Sequence, residues 1–222
     1  FQIFSLEIRW YSLAYIAGIL LGWLYCKKNL IKDHSVLVVF DDYITYLILG
    51  IILGGRLGYA LFYNLGYYLS NPIEILMVWN GGMSFHGGVI GVIIASKLFS
   101  NKYKINQFIF LDLVAISAPI GIFFGRIANF INSELYGRVS DVPWSVQFAL
   151  IDNMKRHPSQ LYEAFLEGIV LFFILDYFFK KNYQKKPGQI SSLFLVFYSL
   201  FRFFIEYFRS PDPQIGYLIL NL

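Results

Sequence analysis

Apolar residues in this chain do not recur at the three-to-four spacing of a soluble surface helix; they run in continuous blocks separated by short polar stretches. The blocks cover roughly residues 10–26, 43–63, 83–99, 107–131, 159–179 and 189–208. Each approaches or exceeds the roughly 20 residues that an α-helix needs to cross a bilayer core. The pattern therefore predicts an all-α, polytopic helical membrane protein with six spans, residues 1–222 forming a single integral membrane domain. Beyond the sixth span come Pro211 and Pro213, and then the run from Gly216 to Leu222, which is too short to cross. It is expected to be a truncated seventh helix or an interfacial segment. No small-residue cleavage site follows the first run, so that run is read as retained rather than as a signal peptide.

Composition agrees with this reading. Of 222 residues, 57% are hydrophobic and only 14% charged, against roughly 25% charged in an average soluble protein. A net charge of +4 would suggest nucleic acid in a soluble chain, but here ten of the eleven lysines lie in three connections: Lys27, Lys28 and Lys32; Lys97, Lys102 and Lys104; and Lys180, Lys181, Lys185 and Lys186. Such clusters set orientation, and they predict that these connections face the cytoplasm while the N-terminus and the alternate connections face outward. No nucleic-acid partner is expected. Trp10, Trp79 and Trp144 fall at predicted outer boundaries and Trp23 near the inner one, as interfacial belt residues do. Cys26, the single cysteine, excludes an internal disulfide and reads as an inert helix-end residue.

Arginine follows a different rule from lysine. Arg9, Arg56, Arg126, Arg138, Arg156, Arg202 and Arg209 all lie in spans or on the predicted outer side. Spans two, four and six run outward, which would bring Arg56, Arg126 and Arg202 to one depth, with His86 near the outer end of span three. A charged side chain at the centre of a spanning helix costs about 2.5–3.5 kcal/mol on insertion scales, so such residues are function-bearing by default. Guanidinium groups do not escape by losing a proton, and each needs an anion, a carbonyl or water. With Glu134 and Glu206 as the local carboxylates, three arginines leave positive charge that a lipid phosphate would balance. Snorkelling, or pairing with loop carbonyls, is the alternative.

Arg202, Glu206 and Arg209 stand at i, i+4 and i+7, either as a self-neutralising ladder or with Glu206 aiming one arginine at a ligand. His86 lies among Gly81, Gly82, Gly87, Gly88 and Gly91. Glycines there allow a backbone or a substrate to come close, and the imidazole is equally readable as a satisfied polar group or as a base for a thiol or hydroxyl nucleophile. Pro158, Gln160 and Glu163 open the fifth span, where capping is the expected role. No histidine and carboxylate spacing supports a metal site.

The motif Gly125-Arg126-x-x-Asn129-Phe130-x-Asn132-x-Glu134-x-x-Gly137 resembles the signature of the bacterial prolipoprotein diacylglyceryl transferases. Arg9-Trp10-Tyr11, Gly54-Gly55-Arg56-Leu57-Gly58-Tyr59, Gly82-Met83-Ser84-Phe85-His86-Gly87-Gly88, His157 to Glu163, and Arg202-Phe203-x-x-Glu206-x-x-Arg209-x-Pro211-Asp212 extend the likeness over nearly the whole chain. The resemblance implies an inner-membrane enzyme, acting on the periplasmic side. It would move the diacylglyceryl group of phosphatidylglycerol to the lipobox cysteine of a preprolipoprotein, among membrane lipids and without a cofactor.

Carried over, Arg126 and Arg202 resemble the phosphate-binding arginines, Asn129 and Glu134 their polar support, and His86 the essential histidine. Tyr11 and Tyr198 match functional tyrosines, and Gly137, Arg56, Glu206 and Arg209 complete the implied substrate-binding set. The family has seven spans, and this chain stops where the last would begin. A transporter or an anionic-lipid-binding scaffold is the reading from a different class. It would need polar lining in both membrane halves, whereas Asp112 and Asp176 are the only acidic exceptions in the inner ones.

Overall fold

A computed structural model of the protein describes residues 2–3, 6–7, 10–182 and 186–210. Arg9, Lys185, Pro211, Asp212 and the expected start of a seventh helix lie outside the described residues. Helices dominate, and the contacts within the chain fall into two compact units: Phe1–Lys28 with Asp112–Leu222, and Asn29–Leu111. Three helices among the described residues are long and apolar enough to cross a membrane: His34–Phe62, Gln107–Ile131 and Gln189–Glu206. Six expected spans thus become three by that measure, in what is otherwise a helical membrane protein.

The unit Asn29–Leu111 is built on α2 (His34–Phe62) and α4 (Phe85–Tyr103), joined through the short helix α3 (Leu65–Ser70) and two 3-10 turns, Pro72–Leu76 and Val78–Asn80. α2 starts nine residues before the predicted span because Asp33 caps it, accepting from the Ser35 amide and hydroxyl at 2.8 Å each. The two long helices touch along small residues. A Cβ on Gly58 would meet Gly87, one on Gly54 would meet Gly87 and Gly91, and one on Gly50 would meet Gly91 and Ala95. The descending order against the ascending one makes the pair antiparallel. Lipid tails offer no hydrophobic drive for two apolar helices to associate, so the close backbone approach that glycine permits supplies the attraction. Away from the glycines, Tyr43 donates or accepts a 2.8 Å hydrogen bond with Ser96 inside a cluster of Phe40, Phe99 and Phe110.

The other unit follows the same rule with different partners. α1 (Trp10–Tyr25) packs antiparallel on α5 (Gln107–Ile131): a Cβ on Gly18 would meet Gly121 and one on Gly22 would meet Ser117. Cys26 continues the seam, 3.0 Å from the Ser117 hydroxyl and 1% exposed. The predicted fifth span is one helical rod in three parts: α6 (Ser159–Glu163), a π segment (Ala164–Val170) and α7 (Leu171–Asn182). The sixth is α8 (Gln189–Glu206). Its first turn is capped from α5, where the buried Asp112 carboxylate accepts from the Gly188 amide at 2.7 Å and the Ser191 amide at 2.8 Å. Asp176 accepts from Tyr25 and pairs with Lys180 at 2.7 Å.

Among the described residues there are also two minimal antiparallel strand pairs, β1 (Gln2–Ile3) with β2 (Leu6–Glu7) and β3 (Val146–Gln147) with β4 (Lys155–Arg156).

Candidate active site

The polar residues of the unit Phe1–Lys28 with Asp112–Leu222 collect where the ends of α5, α6 and α8 meet. Glu163 is wholly buried and is the hub. Its carboxylate lies 2.5 Å from Nη1 of Arg202, 3.2 Å from Nε of Arg126 and 3.9 Å from Nε of Arg209. One turn on, the equally buried Glu167 stands 3.7 Å from Nη2 of Arg126. Glu206 takes Nη2 of Arg202 at 2.7 Å. Both central arginines keep an accessible side: the side chains of Arg126 and Arg202 are 18% and 26% exposed, while the glutamates behind them show 0%. Tyr198, stacked on Phe194 in α8, lies in the field of the same charges.

Gln160 and Glu163, expected as helix caps, do other work. Gln160 donates to the Glu134 carbonyl at 2.7 Å, and Glu163 holds the arginines. The count that led to an uncompensated positive charge also changes. Arg126, Arg202 and Arg209 are matched by Glu163, Glu167 and Glu206, so the attraction of this site for an anion is directional, through open N–H groups, rather than a net excess of charge.

Asn129 and Glu134 meet on a tyrosine rather than on the arginines. The Tyr11 hydroxyl donates to Glu134 and accepts from the Asn129 amide. Glu134 reaches this position because the chain after α5 turns through left-handed conformations at Ser133 (φ 58°) and Leu135 (φ 53°), each costing about 1–2 kcal/mol for a residue with a side chain. Hydrogen bonds from Gln160 to the Glu134 carbonyl and from Ser159 to the Leu135 carbonyl, 3.1 Å, hold the strained turn. Gly137 then passes between two strands of chain. Its amide donates to the His157 carbonyl at 3.0 Å, and a Cβ would strike the carbonyls of His157 and Phe208. Its contribution is close passage.

A family profile described as prolipoprotein diacylglyceryl transferase matches residues 1–222. Proteins named phosphatidylglycerol–prolipoprotein diacylglyceryl transferase from Rickettsia felis, Rickettsia bellii strain OSU 85-389 and Rickettsia typhi are 54%, 55% and 52% identical to this chain. Each alignment covers 100% of the chain and 86–87% of the relative. The chain belongs to the prolipoprotein diacylglyceryl transferase family.

As a member of the prolipoprotein diacylglyceryl transferase family, the chain has two further residues to place, both in the unit Asn29–Leu111. His86 is exposed in the first turn of α4, edge-on to Phe85 at 5.6 Å, and the helix is capped by Ser84, which accepts from the Gly87 amide at 3.2 Å. Gly87 and Gly91, expected to admit a backbone or a substrate, admit α2. Arg56 is 3% exposed and all five of its N–H donors are taken by carbonyls: Nε by Ile75 at 2.9 Å, Nη1 by Gly81 and Gly82, and Nη2 by Glu74 and Met77. The expectation that Arg56 contacts substrate is therefore corrected: its guanidinium is saturated by the loop it organises.

Sequence reasoning underrates Glu163 and passes over Glu167. The available signal is their i, i+4 spacing in an otherwise apolar run, which puts two carboxylates on one face of a membrane helix.

Proposed function

We propose that the chain transfers the diacylglyceryl group of phosphatidylglycerol to the thiol of the lipobox cysteine of preprolipoproteins, an early step in making bacterial lipoproteins. The carrying observation is the pair Arg126 and Arg202, which share the buried Glu163 while each keeps part of its side chain accessible. A guanidinium anchored on one edge and open on another is suited to phosphate oxygens.

In the proposed reaction the cysteine sulfur attacks the glycerol carbon that bears the headgroup phosphate. The carbon–sulfur bond forms, the carbon–oxygen bond breaks, and its electron pair leaves with glycerol phosphate. Arg126 and Arg202 stabilise the charge that grows on the departing group, the kind of oriented electrostatic term that is often the largest in an enzyme. His86 takes the thiol proton. That assignment rests on its imidazole and its exposure, since a free thiol with a pKa near 8.5 is only a few per cent ionised at neutral pH. Tyr11, fixed by Asn129 and Glu134, and Tyr198 line the substrate side. Glu206 and Arg209 hold the cluster from the end of α8.

Six spans, with the lysine-rich connections on the cytoplasmic face, would put this site at the outer, periplasmic side of the inner membrane. The transporter reading finds no support in the inner halves, because Asp112 caps α8 and Asp176 is engaged by Tyr25 and Lys180.

The test is incubation of the purified protein with labelled phosphatidylglycerol and a lipobox peptide. Covalent lipid on the peptide is expected, and retention of the lipid without transfer would instead mark a scaffold. In the same assay His86→Gln should lower turnover about a hundredfold or more, within the range for loss of a general base. An unchanged rate removes His86 from the mechanism.

A further inference from the structure

Glu167 is the one acidic side chain of the arginine cluster whose oxygens accept no hydrogen bond: both are buried, and its contact is the 3.7 Å approach to Nη2 of Arg126. A buried carboxylate in this condition costs several kcal/mol, which packing alone gives no reason to retain. Three features place it deliberately. It lies in the π segment Ala164–Val170, a local widening of the helix that is rare and concentrated at functional sites. It stands four residues after Glu163, on the same face. The next residue is Gly168, where a Cβ would lie 2.8 Å from the Cβ of Phe123, one turn before Arg126 on α5. Only a glycine lets α5 come this near, and that approach brings Arg126 within reach of both glutamates.

The two glutamates divide one edge of the Arg126 guanidinium. Glu163 faces Nε at 3.2 Å and Glu167 faces Nη2 at 3.7 Å. Nε and Nη2 form the side-on edge of arginine, and the end-on pair, Nη1 with the second proton of Nη2, points away from them. We propose that Glu167 is a positioning residue which, with Glu163, holds Arg126 by its side-on edge so that the end-on edge meets the lipid phosphate. This rests on the transfer reading above. Glu163 alone would leave Arg126 in competition with Arg202 for one carboxylate and free to rotate about its last bonds. The second glutamate removes that rotation.

The experiment measures kcat and KM for phosphatidylglycerol with a lipobox peptide in wild type, Glu167→Gln, Arg126→Lys and the double variant, with thermal stability recorded for each. Glu167→Gln keeps shape and removes charge. It is expected to lower kcat about tenfold, equivalent to about 1.4 kcal/mol, because the clamp matters most as charge develops on the phosphate. KM should change less than kcat, and stability should not fall, since a buried charge has gone. In the Arg126→Lys background, which lacks the fork, Glu167→Gln should add less than a twofold loss. Wild-type kcat in Glu167→Gln overturns the proposal, as does a tenfold loss that persists in the Arg126→Lys background. Should Glu167→Gln not accumulate, Gly168→Ala pushes the same segment away from Phe123 and must reproduce the kcat loss; normal kcat there overturns the proposal equally. Undiminished transfer by Arg126→Ala would instead sink the phosphate-clamp reading itself, whatever Glu167 does.

Discussion

Arg56 and Arg126 stand in closely matched local sequences, Gly-Arg-Leu-Gly and Gly-Arg-Ile-Ala, each toward the end of a long apolar helix, and their guanidinium groups are used in opposite ways. Arg56 donates to five loop carbonyls and is 3% exposed. Arg126 touches two carboxylates along one edge and stays 18% exposed. Carbonyls carry no net charge and can surround an arginine completely, leaving it a structural peg. Carboxylates compensate its charge from one side and leave directional donors on the other. For an arginine in a membrane helix, what distinguishes a peg from a ligand-binding group is how many of its five donors the protein itself fills.

Substitution should separate the two. Arg126→Ala is expected to lower kcat for transfer, per folded molecule, by about 10²- to 10³-fold, the usual cost of one preorganised charge-stabilising donor, while the protein still inserts. Arg56→Ala should do the reverse. Leaving five carbonyls without their donor, at about 1 kcal/mol or more for each that water does not reach, predicts a loss of about 3 kcal/mol in stability with kcat per folded molecule retained. If Arg56→Ala stays stable and loses kcat, the distinction drawn from donor filling is wrong.

Smaller effects are expected from the glycines. Gly91→Ala drives a Cβ into the Gly50 carbonyl on α2 and should destabilise the unit Asn29–Leu111 by about 1–3 kcal/mol, as overpacking does. Gly125→Ala meets nothing within 4 Å, despite lying in the signature motif beside Arg126, and should change stability by less than about 0.5 kcal/mol. Thermal melts of the two variants side by side check the contrast.

The smallest expected effect is a pH dependence in the connection between α5 and α6. Burial between the rings of Tyr162 and Phe208 pushes the His157 imidazole below the ordinary histidine range. The unfolded state then binds its proton first, so the stability from this group is present in full above about pH 6.5 and declines as pH falls from there toward the lowered native value. Hydrogen exchange of residues 137–157 should quicken over that interval, and His157→Phe should remove the dependence. Asp152 contributes with the same sign at lower pH: its hydrogen bond from Arg156 holds its carboxyl below the usual range, and that contribution is lost only as pH falls below about 4.

Much of this was legible without coordinates. The apolar block 107–131 coincides with α5, and the block 189–208 overruns α8 by two residues, because a long uninterrupted hydrophobic run has no competing solution in a bilayer. The block 43–63 missed the first nine residues of α2, which begins at His34, and the block 159–179, whose start matches α6, carried no sign of the change in pitch at Ala164. At the candidate site, the resemblance pointed to Arg126, Arg202, Tyr11, Asn129 and Glu134, and the structure joins them into two clusters with partners other than those expected. Glu134 serves Tyr11, and the arginines turn to Glu163 and Glu167.

By itself the sequence determined that this is a helical membrane chain of one transferase family, with arginines in places where hydrocarbon should be. Burial of apolar length is a local, additive property, and it can be read residue by residue. Which anion or carbonyl answers each arginine was decided only by tertiary structure. Glu163 lies 37 positions from Arg126 and 39 from Arg202 in the chain, and an ion pair depends on distances of 2.5–3.7 Å that no spacing rule carries across separate helices.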